Sequence, residues 1–210
     1  AEVFASLARD YGFKKIGVML EKVSLLDEIV ALRGVVDFIS IGTNDLAQDL
    51  FQQDRLNPEN PELLDFWQPE LLRVIASATQ VAKSVGIEVG VCGDAASDPI
   101  MAVVLAGMGV DKVSSAVSVI DEIHLALCSV TMDEAKSLAT LALASEDRLT
   151  ARKAVGDASL LTGSDPNALA DQQEVEALAG QVSAVEADGV STQPASVAVL
   201  PATAWRNSGT

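Results

Sequence analysis

Residues 37–55 read DFISIGTNDLAQDLFQQDR, in which a short apolar run, DFISIG, passes directly into the polar residues TNDL. Three further runs of this kind stand at residues 15–21 (KIGVMLE), 88–92 (EVGVC) and 112–116 (KVSSA). Short apolar runs rich in β-branched residues are typical of parallel strands that helices cover. Because helical segments separate the runs, the sequence predicts βαβ units and an α/β fold with four parallel strands.

Five segments between and after these strands have helical character. Pro69 stands in the first turn of one segment, where proline is well tolerated, and Thr131 with Glu134 forms a capping box at the start of another. The predicted helices cover residues 25–33, 69–85, 98–107, 119–127 and 131–144. Four strand–helix units are too few for a closed eight-stranded barrel, which takes about 250 residues.

The composition changes after residue 156. Residues 157–210 contain no Lys, one Arg and one aromatic residue amid Ala, Ser, Gly, Gln, Pro and acidic residues. Such a segment buries too little apolar surface to offset the entropy lost on ordering. We therefore predict a folded domain at residues 1–156 and a largely disordered, low-complexity tail at residues 157–210, in which residues 167–178 could form one helix.

Charge and hydropathy exclude several classes of partner. The net charge of −16 and the pI near 4.2 argue against nucleic acid and anionic membrane surfaces, whose phosphates would be repelled. No apolar run approaches the roughly 18 residues of a membrane span, and the first residues do not resemble a signal peptide. Two cysteines make no disulfide framework, so we expect a cytoplasmic protein.

Polar residues follow the predicted strands at their carboxyl ends, where active sites of parallel α/β barrels are built. The carboxylates among them, Glu21 and Asp45, suit Mg²⁺, which takes few protein ligands and keeps its waters. Each could equally cap the N-terminus of a following helix. The polar residues are Glu21, Thr43, Asn44, Asp45, Cys92, Asp94, Ser114 and Ser115.

The thiols, the histidine and one arginine each have two interpretations. Cys92, beside Gly93, could be catalytic, but a buried thiol with no chemical role is the more frequent case. Cys128 is expected to be a buried, inert thiol. His124, the only histidine, is expected to be structural or exposed rather than catalytic. Arg55 could bind an anionic substrate through its two terminal nitrogens, or could be a solvated loop cation.

Four segments carry a family resemblance. Residues 37–55, centred on GTNDL, resemble the signature block of phosphoenolpyruvate-utilising enzymes, and the spacing to the DR pair is most like Enzyme I of the bacterial sugar phosphotransferase system. GVMLE (17–21), VGVCGD (89–94) and GMGVDKVSSAVSVI (107–120) resemble later strands of the same barrel, with Asp94 where the family usually has Glu. The resemblance covers about residues 1–154 and implies the C-terminal half of a TIM (β/α)8 barrel. Because the sequence also begins without Met and with a helix-like segment, we expect it to be a fragment of a longer protein.

The resemblance implies a role for each site residue. Glu21 and Asp45 would hold Mg²⁺, Asn44 and Asp45 would contact the substrate, and Arg55 would neutralise phosphoenolpyruvate. Cys92 would be the general acid that protonates the methylene carbon as enolpyruvate becomes pyruvate. The phosphoryl group would pass to a protein histidine and then to a phosphocarrier protein, both reached through domains that this sequence does not match. A homodimer through the barrel is also implied.

Two other functions are also compatible with the sequence. Pyruvate phosphate dikinase and phosphoenolpyruvate synthase share GTNDL and the cysteine. A non-catalytic half barrel that serves dimerisation is the second alternative, and this fragment alone is expected to be inactive in phosphoryl transfer.

Overall fold

Four parallel strands form the centre of the protein, as the sequence predicts. The structure, a computed structural model, describes residues 1–56, 59–161 and 197–201. Strands β1 (Gly17–Leu20), β2 (Phe38–Gly42), β3 (Glu88–Cys92) and β4 (Lys112–Ala116) pair in parallel in that order. Their carboxyl ends therefore lie at one edge of the sheet, and Gly42 pairs with Cys92 across that edge.

The two faces of the sheet differ in burial because successive side chains point to opposite sides. On one face, Ile39, Ile41, Val89 and Val91 are fully buried and join the core with the helices. On the other face, the small and polar residues Ser40, Gly90, Cys92 and Ser114 are only partly buried. Of the candidate residues, Cys92 and Ser114 therefore lie on the face of the sheet that is more exposed to solvent.

Seven α-helices accompany the sheet in the described part of the chain. The predictions near residues 69–85, 98–107, 119–127 and 131–144 are confirmed, including the reciprocal hydrogen bonds of the Thr131–Glu134 capping box. None of these helices is both long enough and apolar enough to cross a membrane. They are α1 (Glu2–Asp10), α2 (Thr43–Phe51), α3 (Pro69–Ser84), α4 (Pro99–Gly107), α5 (Ile120–Cys128), α6 (Met132–Ala144) and α7 (Arg148–Leu161).

The predicted helix at residues 25–33 is instead a 3₁₀ segment, Val23–Leu32. Ten residues in this geometry span about 20 Å, against about 15 Å in an α-helix. The longer rise suits a short connection that must return the chain from the end of β1 to the start of β2. The Asp49 side chain of α2 stabilises its beginning by accepting a hydrogen bond from the Val23 backbone N–H at 2.8 Å.

The tail prediction is corrected for the segments that the structure describes. Helix α7 begins after Asp147, which accepts hydrogen bonds from Leu149 N and Thr150 N, and it continues through residue 156 to Leu161. Strand β5 (Val197–Pro201) pairs antiparallel with β4, whose outer edge offers unpaired N–H and C=O groups. The helix expected at residues 167–178 lies outside the described residues.

Candidate active site at the carboxyl edge of the sheet

Side-chain hydrogen bonds join the ends of β2 and β3. The Thr43 hydroxyl donates to the Cys92 carbonyl oxygen at 2.9 Å. The Asn44 side-chain oxygen accepts from the Asp94 backbone N–H at 3.1 Å. Thr43 and Asn44 are the first residues of α2, which begins directly after β2 without a loop. The TNDL segment is therefore fixed to the strand end that carries Cys92.

Gly93 makes this close approach possible. Its φ of +101° and ψ of −166° are accessible to glycine and strained for other residues. A Cβ atom at this position would lie 2.5 Å from Thr43 Oγ1 and 3.0 Å from Asn44 Oδ1. The CG pair in the sequence thus has a steric reason: any side chain at residue 93 would separate the two strand ends.

Glu21 lies beside the same edge. A Cβ atom added to Gly42 would be 2.9 Å from Glu21 Cγ and 3.1 Å from Glu21 Oε1, so the glutamate side chain covers Gly42. Neither predicted metal ligand is a helix cap: α2 has Gly42 at its N-cap and the 3₁₀ segment has Lys22, both without a side-chain cap bond. The capping alternative is therefore wrong for both carboxylates.

A hydrogen-bonded chain connects Asp45 with Arg55. Gln48 Nε2 donates to Asp45 Oδ1 at 2.7 Å, and Gln48 Oε1 accepts from the Arg55 backbone N–H at 2.9 Å. The Arg55 guanidinium forms an ion pair with Asp94 at 3.1 Å. Arg55 is thus an exposed loop cation, 52% accessible, that is paired with an acid. Sequence reasoning missed Gln48, although its i, i+3 spacing from Asp45 in a helix could have indicated it.

The Cys92 side chain has two polar contacts. Ser40 Oγ donates to Cys92 Sγ at 3.6 Å, and Cys92 Sγ donates to the Ile41 carbonyl oxygen at 3.6 Å. The Cys92 side chain therefore contacts one hydroxyl group and one carbonyl oxygen. Because Ser40 lies on the partly buried face, the thiol does not point into the helix layer.

An ionic cluster occupies the opposite end of this face. Glu88 binds Lys112 Nζ at 2.6 Å and Lys15 Nζ at 3.1 Å. The hydrogen bond from Lys112, followed by that from Lys15, lowers the pKa of Glu88 below its ordinary value of 4.5. These residues and Ser114 line a cavity of about 220 Å³.

His124 and Cys128 are brought together on α5. Cys128 Sγ lies 3.4 Å from His124 Nε2, and both residues are partly buried. Cys128 is therefore partly rather than fully buried and has a polar neighbour, and the expectation that it is inert stays a prediction. Their i, i+4 spacing on a helix was the available sequence signal.

Comparison with known proteins identifies the family. The family model described as "PEP-utilising enzyme, PEP-binding domain" matches residues 2–132, which include all the candidate residues at the edge. The chain belongs to this family of phosphoenolpyruvate (PEP)-utilising enzymes. The resemblance of residues 1–154 is confirmed at that level.

Relatives of this PEP-utilising domain have related names. The chain is 37% identical over 155 residues to a phosphoenolpyruvate-protein phosphotransferase of Streptomyces coelicolor, covering 73% of this chain and 28% of the relative. It is 31% identical over 154 residues to the protein of the same name in Haloferax volcanii, covering 70% and 27%. A phosphoenolpyruvate synthase of Pyrococcus furiosus is 39% identical over 101 residues, covering 47% and 12%. The chain thus spans little more than a quarter of the length of the two phosphotransferases and 12% of the synthase.

Proposed function

We propose that the chain supplies the Mg²⁺-dependent phosphoenolpyruvate site of a phosphoenolpyruvate-protein phosphotransferase, the first enzyme of the sugar phosphotransferase system. The observation that carries the proposal is the linkage of three segments at one edge of the sheet. Asn44 contacts Asp94, Arg55 pairs with Asp94, and Thr43 bonds the Cys92 carbonyl. In this proposal, Asn44 binds the phosphate group, Arg55 is the cation for the carboxylate or phosphate, and Cys92 is the acid.

The donor set suits magnesium. Glu21 and Asp45 offer two carboxylates at neighbouring strand ends, and in the described residues no group of three or more His, Cys, Asp and Glu side chains could hold a metal. Mg²⁺ commonly binds through one or two carboxylates and takes its other ligands from phosphates and water. When bound, it would stabilise negative charge on the phosphate and the enolate.

Cys92 is proposed to deliver the proton. Its side chain contacts the Ser40 hydroxyl and the Ile41 carbonyl oxygen, and its position on the more open face permits approach by a ligand. As the bridging O–P bond breaks and the phosphoryl group leaves, enolpyruvate forms, and the thiol proton moves to the methylene carbon to give pyruvate. Arg55 would exchange its Asp94 partner for a substrate oxygen during binding.

The acceptor lies elsewhere in this proposal. These 210 residues contain one histidine, His124, on α5 away from the TNDL segment. In-line phosphoryl transfer needs a positioned nucleophile. We therefore propose that other parts of a longer protein carry the acceptor histidine, the phosphocarrier docking surface and the first half of a TIM barrel, and that this chain alone releases no pyruvate from PEP and Mg²⁺.

The test places the segment in a complete enzyme. Residues 1–154 would replace the aligned region of the Streptomyces coelicolor phosphotransferase, and pyruvate release would be coupled to lactate dehydrogenase with phosphocarrier present. We expect turnover that disappears with Cys92→Ser while circular dichroism is unchanged. A folded chimera whose activity survives Cys92→Ser would refute the role of the thiol.

A phosphoenolpyruvate synthase is the second candidate, favoured by the relative of that name at 39% identity. It would use the same edge with a different phosphoryl acceptor. Exchange of the same segment into the Pyrococcus furiosus enzyme compares the two candidates, because the segment should support turnover only in the enzyme whose acceptor geometry it fits.

Self-association and location complete the proposal. Helix α1 and the residues after it expose apolar side chains, with Phe4 59%, Leu7 54% and Phe13 65% accessible beside β1. This surface supports the proposed homodimer, which sedimentation equilibrium across a concentration series would detect. A cytoplasmic location stays a prediction.

A further inference from the structure

The pair formed by His124 and Cys128 has no part in the proposed function. Both residues lie on α5, one helical turn apart, and Cys128 Sγ is 3.4 Å from His124 Nε2. A cysteine hydrogen-bonded to an imidazole can transfer its proton, and the resulting thiolate is the reactive form of the residue. Both side chains are partly buried and thus partly accessible to small molecules.

The charged surroundings of the pair come from α5 itself. Asp121 stands one turn before His124, and Glu122 lies two residues before it; both are exposed. Among the elements that contact α5 are α4, residues 117–119 and β5, and their sequences, PIMAVVLAG, VSV and VAVLP, contain no titratable side chain. The His124 imidazole is thus a basic group in direct contact with the Cys128 thiol.

The helix terminus has two opposing effects. The C-terminus of α5, where Cys128 stands, carries about half a negative charge, which favours an imidazolium and disfavours a thiolate. A full positive charge in contact with the sulfur interacts more strongly than this partial charge.

We propose that Cys128 is a modification site: His124 takes the thiol proton, and the thiolate reacts with hydrogen peroxide. The sulfur attacks one peroxide oxygen, an S–O bond forms and the O–O bond breaks. Sulfur is oxidised by two electrons to sulfenic acid, and the peroxide is reduced. The departing hydroxide takes the proton from the imidazolium and leaves as water.

Cys92 is the matched control within the same chain. Its contacts are a serine hydroxyl and a backbone carbonyl, neither of which is a base that would remove its proton. An ordinary cysteine thiol titrates near pH 8.5. Lowering that midpoint by 1.5 units raises the labelling rate at pH 7 only about threefold, because thiolate nucleophilicity falls as acidity rises. The pH midpoint is therefore a better measure than the rate.

The experiment labels the full chain briefly with iodoacetamide from pH 5.5 to 9.5 and quantifies both cysteines by peptide mass spectrometry. We expect the Cys128 midpoint to lie at least about one pH unit below that of Cys92. His124→Gln should abolish the difference, and Glu122→Gln on the same helix should preserve it. Equal midpoints in the unaltered protein would overturn the proposal, and this comparison decides the matter even if His124→Gln does not fold.

Peroxide supplies a second, independent measurement. After treatment with hydrogen peroxide, dimedone should capture sulfenic acid on Cys128 at least threefold faster than on Cys92, and His124→Gln should remove the preference. Equal capture on both thiols, or a preference for Cys92, would contradict the proposed modification site.

Discussion

Gly93→Ala should separate the two strand ends that form the candidate site. The backbone at residue 93 has a φ of +101° and a ψ of −166°, a conformation whose strain in a non-glycine residue costs about 1–3 kcal/mol. The added Cβ would lie 2.5 Å from Thr43 Oγ1, so the hydroxyl must move and its bond to the Cys92 carbonyl is lost. That bond contributes about 0.5–1.5 kcal/mol. The free energy of unfolding should therefore fall by about 2–4 kcal/mol.

Urea unfolding followed by circular dichroism measures this change, and the Tm should fall by about 5–15 °C. Gly156→Ala is the matched control, because Gly156 lies in α7 with no atom within 4 Å of the added Cβ. There the same substitution should stabilise the helix by about 0.5–1 kcal/mol. A loss smaller than about 1 kcal/mol for Gly93→Ala would show that the approach of TNDL to CGD is not sterically constrained.

Three further changes test separate parts of the protein. Gly42→Ala should displace the Glu21 side chain at little cost in stability. Mg²⁺ binding, measured by isothermal titration calorimetry, should weaken at least tenfold, and an unchanged Mg²⁺ affinity would contradict a metal role for Glu21. Asp94→Asn should weaken the ion pair with Arg55 and raise the salt sensitivity of PEP binding. If PEP binds to the variant and to the unaltered protein with the same affinity at every NaCl concentration from 50 to 500 mM, the ion pair does not position Arg55 for PEP. Glu88 has a pKa below its ordinary 4.5, so it stabilises the folded state above that pH and loses the contribution as the pH falls through the lower, folded-state value. Because the Glu88 side chain is 43% exposed, its contribution is small. Glu88→Gln should reduce the difference in free energy of unfolding between pH 7 and pH 3, measured by urea titration, by no more than about 1 kcal/mol. If this difference does not fall, other carboxylates cause the acid sensitivity.

The sheet could be predicted from the sequence because its strands are short apolar runs separated by segments with helical periodicity. Burial of alternate residues, such as Ile39 and Ile41, fixes both the strand and its face. Helix α2 was missed because its first turn consists of the conspicuous polar residues of TNDL, which also read as a loop. Strand β5 was missed because composition averages over residues 157–210 and conceals one run, VAVLP, that completes an open sheet edge.

The site was predictable in position but not in its connections. Polar residues at strand ends located Glu21, Asn44 and Cys92 at one edge, since parallel strands share a direction. The Arg55–Asp94 ion pair joins residues 39 positions apart, and no local pattern could indicate it. The proximity of His124 and Cys128 could have been predicted from their i, i+4 spacing, which places both side chains on one face of the helix.

The central claim is that this edge binds PEP with Mg²⁺. Isothermal titration calorimetry of PEP into the full chain, with and without Mg²⁺, tests it without a phosphoryl acceptor. We expect binding that requires Mg²⁺, is lost in Glu21→Gln and Asp45→Asn, and survives Cys92→Ser, because the thiol acts after binding. Equal PEP affinity with and without Mg²⁺, or binding that persists in both carboxylate variants, would contradict the account.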